Sequence, residues 1–200
     1  EGEYLNQWGS RGDGEGQSIG PSGIAVAGDG TIYVVDRGNN RIQRFTNDGE
    51  FLDQWGSEGS GEGQFDEPKG ISVADDGTVY VTDLDNYRIQ RFTADGEFLK
   101  QWGARSSGDG QFGYPQGVAV AGDGTVYVAD SGNNRIQRFT ADGGYLSKWG
   151  SRGDGEGQFN YPESIAVAGD GTVYVSDTRN HRIQVFTADG DFIAWWGRED

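Results

Sequence analysis

A β-propeller type of fold, built from four-stranded antiparallel sheets stacked face to face, is predicted by three observations. The chain repeats itself: Arg-Ile-Gln runs start at Arg41, Arg88, Arg135 and Arg182, a spacing of 47 residues. A period of roughly 20 to 50 residues is the mark of a repeat architecture. Within each unit, short runs rich in β-branched and aromatic residues are separated by Asp-Gly turns at Asp29-Gly30, Asp76-Gly77, Asp123-Gly124 and Asp170-Gly171. Finally, apolar groups occupy positions of both parities on one strand, as with Ile89 and Phe92, so each sheet needs a neighbour on both faces.

The second unit serves as the model for the strands. Gly70 to Ala74 is a first apolar run, Asp75-Asp76-Gly77 a turn, and Thr78 to Thr82 a second run, which together read as a tight hairpin. Asp-Gly suits a primed two-residue turn, which requires positive φ. Arg88 to Phe92 is a third strand, and a turn at 94 to 96 leads to a fourth, Glu97 to Trp102. The unit is thus an up-and-down meander. Pro21, Pro68, Pro115 and Pro162 precede the inner strands, where a missing N–H removes no ladder bond. Phe65, Phe112 and Phe159 are expected to tuck the Gly-rich connector against the sheet, whereas the first unit carries Ser18-Ile19 and is expected to pack less closely.

The units fall at about 10–56, 57–103, 104–150 and 151–197, forming one domain over 1–200. Trp-Gly pairs close the outer strand at Trp8, Trp55, Trp102, Trp149 and Trp196, five marks for four repeats. One outer strand, within residues 1–9, is therefore surplus. It competes with residues 191 to 196 for a single sheet edge, which leaves three outcomes: a closed four-bladed ring, a larger ring of several chains, or head-to-tail donation of the strand. Tyr4, Leu5, Trp8, Phe192, Trp195 and Trp196 are the candidate assembly residues.

Composition excludes several function classes. The net charge of -16 and evenly scattered cations argue against nucleic-acid binding and an anionic membrane surface. No cysteine is present, so disulfides, thiolate metal sites and thiol nucleophiles are absent. No segment approaches the ~20 apolar residues of a membrane span. The acidic surface, the lack of methionine and the opening Glu1-Gly2-Glu3 suggest a processed or designed segment with an extracellular or cell-surface location.

The candidate chemistry is sparse. Asp36, Asp83, Asp130 and Asp177 end the second strands, each followed five residues later by Arg41, Arg88, Arg135 or Arg182. A carboxylate ring could bind a cation, but the recurring arginine predicts a bidentate Asp–Arg network that holds the loop. Gly-Asp-Gly-Glu-Gly stretches offer at most weak Ca²⁺ binding, since they lack the EF-hand spacing. Two Arg-Gly-Asp tripeptides, at Arg11 and Arg152, lie in solvated connectors and read as sequence drift. His181 is the sole histidine, so no Ser/His/Asp set or histidine-rich metal centre is expected. A ligand or partner face would lie where otherwise similar repeats differ: Lys69 and Glu163 before the inner strands, and Arg37, Leu84, Asp85, Arg179, Tyr87 and His181 in the loops after the second strands.

The combined pattern resembles NHL repeats. It includes Pro-x-Gly-(Ile/Val)-(Ala/Ser)-Val-Ala, Asp-Gly-Thr-Val-Tyr-Val-x-Asp and Asn-x-Arg-Ile-Gln, with Asn180-His181-Arg182-Ile183 as one copy. The resemblance covers the whole chain and implies a β-propeller, in that family most often of six blades; four repeats depart from that number. The expected function is a non-catalytic scaffold for protein partners or for copies of itself, as an oligomer or filament and without a cofactor. The alternative is a metal-assisted lyase or hydrolase at the channel face, as in lyase members of the NHL-like group.

Overall fold

In each repeat an Asp-Gly turn folds two β-branched runs into a hairpin, and a second hairpin follows it to complete a four-stranded sheet. The computed structural model describes residues 6–197. Two short strands, β1 (Ser10–Arg11) and β2 (Gln17–Ser18), pair in parallel at the N-terminal side. Four antiparallel blades follow. The first is β3 (Pro21–Val26), β4 (Ile32–Asp36), β5 (Arg41–Phe45) and β6 (Phe51–Trp55). The second is β7 (Pro68–Val73), β8 (Val79–Asp83), β9 (Arg88–Phe92) and β10 (Phe98–Trp102). The third is β11 (Pro115–Val120), β12 (Val126–Asp130), β13 (Arg135–Phe139) and β14 (Tyr145–Trp149). The fourth is β15 (Pro162–Val167), β16 (Val173–Asp177), β17 (Arg182–Phe186) and β18 (Phe192–Trp196).

The hairpin turns differ from the primed type. Gly30 has φ 89° and Gly77 φ 84°, but neither Asp29 nor Asp76 is among the residues with positive φ. Instead the Gly30 N–H donates to the Ala27 carbonyl at 3.0 Å and the Ala27 N–H to Thr31 at 2.8 Å. This is a type I turn closed by a left-handed glycine, the three-residue hairpin with a bulge. The aspartate serves another purpose: its carboxylate accepts the N–H of the threonine two residues on, 2.9 Å in both Asp29 and Asp76.

Blade stacking follows the opposite parities of the apolar residues. Tyr33, Val35 and Ile42 of the first blade pack against Phe65, Ile71, Val79, Val81 and Phe92 of the second. Ile89 faces the third blade instead, against Phe112 and Phe139. Each junction is sealed at its rim by a tryptophan: Trp55, Trp102 and Trp149 lie 5.6–5.8 Å from Phe92, Phe139 and Phe186. Near the axis the inner strands approach so closely that a Cβ on Gly70 would stand 2.4 Å from the Gln116 carbonyl, and one on Gly117 2.6 Å from that of Glu163.

The stack does not return on itself. Inner strands pack β3 on β7, β7 on β11 and β11 on β15, with no comparable contact between β15 and β3. Ile24 and Val26 are accordingly 63% and 64% exposed on the first blade, and Trp196 is 52% exposed on the last. Of the surplus N-terminal segment, Tyr4 and Leu5 lie outside the described residues. Residues 6–9 carry no ladder, and Trp8 rests on Phe45 with ring centroids 6.4 Å apart.

Candidate functional site

The strand register gathers the varied residues at one end of the blades. Pro68 stands opposite Asp83, and Pro162 opposite Asp177, so the starts of the inner strands lie beside the loops that leave the second strands. Beneath those loops each blade holds the same buried network. In the first, Arg41 Nε donates to Asp36 Oδ2 at 2.7 Å; Asn39 donates to the same oxygen at 2.8 Å and Gln43 at 3.1 Å. Asp36 Oδ1 accepts the Ile19 backbone N–H at 2.8 Å. The Arg–Asp contact recurs at 2.7 Å for Arg88–Asp83, Arg135–Asp130 and Arg182–Asp177.

The pair is not bidentate. The carboxylate's second oxygen is taken by the connector's N–H, so the remaining guanidinium donors turn to backbone carbonyls: Arg41 to Asp13, Gly14 and Gln17. The network thus closes each Gly-rich connector over its own blade. Burial pushes the Asp83 and Asp130 carboxyls up, an effect opposed by hydrogen bonds from backbone, Asn and Arg. The four aspartates and, in the first blade, the Asp13, Gly14 and Gln17 carbonyls of the connector thus take part in this network. No group of three or more His, Cys, Asp or Glu suited to a metal occurs among the described residues.

Above the network, each blade junction carries its own surface pair. At the first, Arg37 is ion-paired with Glu67. At the second, the Tyr87 and Tyr114 rings meet at 5.1 Å, tilted by 54°, with Arg105 lying 5.1 Å over the Tyr87 ring. At the third, the Tyr161 N–H donates to Asn134 Oδ1 of the preceding blade at 2.9 Å, while Arg179 of the fourth blade itself lies 4.5 Å over the Tyr161 ring. Leu84 is half-buried and Asp85 exposed, the latter near the first-junction pair; burial, then the carboxylates of Asp66 and Glu67, push the Asp85 carboxyl up. His181 is exposed in left-handed conformation, φ 54°. Lys69 and Glu163 sit apart from these, lining an axial cavity of about 250 Å³ together with Ser22 and Gln116. The candidate face is therefore two regions, a row of junction pairs and a channel mouth.

Glu67, Tyr114 and Tyr161 were not singled out from sequence, although each contributes half of a junction pair. Their sequence signal is one variable slot directly before the recurring proline of each repeat; in the structure all three adopt φ of 57–62°.

The NHL repeat family model matches residues 19–45, 65–92, 112–139 and 159–186. The chain belongs to the NHL repeat family. No curated protein matches it. Among solved structures it is similar to virginiamycin B lyase from Staphylococcus aureus, with TM-score 0.65 and 22% identity over 87% of this chain and 54% of that one. It is also similar to a gluconolactonase from Xanthomonas campestris, TM-score 0.65 and 20% identity over 86% and 60% of the two chains. The WD40 repeats of RRP9 align at TM-score 0.67 and 15% identity over 88% and 49%. At such identities the likeness is one of fold, and this NHL chain spans about half to three fifths of the length of those structures.

Proposed function

We propose that this NHL chain is a non-catalytic interaction scaffold whose end blades bind protein partners, foremost a second copy of itself joined head to tail by exchange of outer strands. The match between its two exposed blade faces carries this reading. The last blade presents Ala166, Tyr174, Ile183 and Trp196, as the first blade presents Ala25, Tyr33, Ile42 and Trp55 to the second. The first blade's open face carries Ile24, Val26 and Phe45, the counterparts of Ile71, Val73 and Phe92. Burying such apolar sheet faces contributes roughly 25 cal/mol per Å².

The seat for exchange is also present. Trp55, Trp102 and Trp149 lie over Gly96, Gly143 and Gly190 of the next blade, and Trp8 lies over Gly49 in the same manner. Trp8 and the Trp196 of a second copy thus compete for one seat. Nearer the axis the junction between copies must be wider than those inside the chain. Ser164 replaces the glycine of the closely approaching inner strands, and Val185 replaces the arginine that pairs across each internal junction, as Arg44 does with Asp95. Association therefore rests on the apolar faces and the rim tryptophan, without the close inner-strand approach or the arginine–aspartate pair of an internal junction.

Support for a non-catalytic role comes from the commitment of the buried carboxylates and arginines to structure, and from the isolation of His181. Light scattering over a wide concentration range is expected to show the mass rising from one chain towards multiples. Val26→Glu and Trp196→Glu should each remain a single chain on its own, and the two variants mixed should form a dimer and nothing longer. A single-chain mass for the wild type at every concentration overturns the reading.

A further inference from the structure

The first blade lacks a ring that the other three possess. Phe65, Phe112 and Phe159 are fully buried and rest on Phe92, Phe139 and Phe186 with centroids 5.6–5.7 Å apart, tilted by 45–51°. Each is held on its other side by a glycine. A Cβ on Gly56, Gly103 or Gly150 would stand 2.6–2.7 Å from the ring. The equivalent residue of the first blade is Ser18, while Gly9, with φ 87°, and Phe45 keep the corresponding places. The nearest atom to a Cβ on Gly9 is the Gly16 carbonyl at 3.4 Å, and no ring lies against it.

The vacated volume belongs to a cavity of about 600 Å³ walled by Trp8, Ile19, Val34 and Phe45. Its size is that of a small-molecule site, and aromatic walls favour an aromatic guest in a tilted arrangement. Arg11 lines the same cavity and stands directly opposite Ser18 in the β1–β2 register. Its counterpart Arg105 lies over Tyr87 of the preceding blade, an aromatic that Arg11 lacks within the described residues. Arg11 also takes part in none of the ion pairs among the described residues, in a chain otherwise rich in carboxylates.

We infer that the Ser18 cavity is a binding site for a small aromatic carboxylate, its ring in the place of the missing phenylalanine against Phe45 and Gly9, and its carboxylate on the Arg11 guanidinium. An apolar cavity shaped for a missing side chain takes up benzene-sized guests, and an arginine fork matches a carboxylate. Because Trp8 and Phe45 also belong to the face proposed for self-association, the site is read on Trp196→Glu as well, which stays a single chain and leaves the cavity open.

The test is titration of the full chain with benzoate, with benzyl alcohol in parallel, followed by calorimetry and Trp8 fluorescence. Benzoate should bind one per chain with a Kd on the order of 1 mM or below, as befits so few heavy atoms. Ser18→Phe should abolish binding while raising the thermal midpoint, since it restores the residue found in three blades. Arg11→Ala should weaken benzoate at least tenfold and leave benzyl alcohol unchanged. The inference is overturned if folded Ser18→Phe protein binds benzoate as the wild type does, if benzyl alcohol binds as tightly as benzoate, or if benzoate does not bind.

Discussion

At the scale of single residues, two kinds of aspartate do different work, and pH separates them. Asp83 is fully buried and anchors Arg88, Asn86, Gln90 and the Asp66 backbone N–H. Removing one member of a buried, hydrogen-bonded ion pair strands the other, at a cost of about 3–5 kcal/mol. Asp83→Ala is therefore expected to lower the urea unfolding free energy by about that amount, read from the denaturation midpoint.

Asp76 lies at a hairpin turn, where the Thr78 backbone N–H bonded to its carboxylate, then the Thr78 hydroxyl, hold its carboxyl below the usual carboxylate range. A depressed folded-state pKa means that stabilisation is present above the unfolded value of 3.8 and is lost as pH falls through the folded value. Asn accepts the same bond but does not titrate. The difference in thermal midpoint between wild type and Asp76→Asn should accordingly be largest near neutrality and shrink as pH falls below about 4; a difference that is constant with pH contradicts this assignment.

At the scale of elements, the turn glycines serve the stack as well as the hairpin. Gly96 has φ 83°, and a Cβ there would lie 2.6 Å from the Trp55 ring of the preceding blade. Gly169, also next to a hairpin turn, has nothing within 4 Å and no positive φ. Left-handed backbone costs an L-residue about 1–2 kcal/mol, to which displacement of the tryptophan adds. Gly96→Ala should thus lower the thermal midpoint clearly, whereas Gly169→Ala should leave it unchanged or slightly raised, because alanine restricts the unfolded chain. Equal effects in the two variants, measured by calorimetry, would count against the rim packing described above.

At the scale of the molecule, stability is shared between neighbouring blades, because each sheet is apolar on both faces and buries them only against the next. The first and last blades each keep one such face open, and their departures from the repeat lie on those faces: Ser18, Ser164 and Val185. Ser164 and Val185 keep a second copy from docking as tightly as an internal blade, and Ser18 opens the cavity beside Trp8. The mixed-variant dimer and the benzoate titration of the single-chain Trp196→Glu variant examine these two consequences by separate readouts.

The 47-residue period, the Asp-Gly turns and the two-sided apolar strands were enough to place sixteen blade strands, since hairpin pairing is local and each repeat confirms the next. The Asp-to-Arg spacing pointed to the buried network for the same reason. Three things depended on the tertiary structure. The turn type was decided by the ladder: the Ala27 N–H bonds to Thr31 and encloses three residues instead of two, which leaves only the glycine at positive φ. The junction pairs, such as Tyr87 with Tyr114, join residues from different blades, and no spacing within one repeat reveals them. The role of Ser18 also depended on packing: in sequence it is one substitution in a Gly-rich connector, and only the ring seats of Phe65, Phe112 and Phe159 show that it leaves a space between Gly9 and Phe45. A side chain's own chemistry is written in the chain, but the volume that it leaves empty is defined by its neighbours.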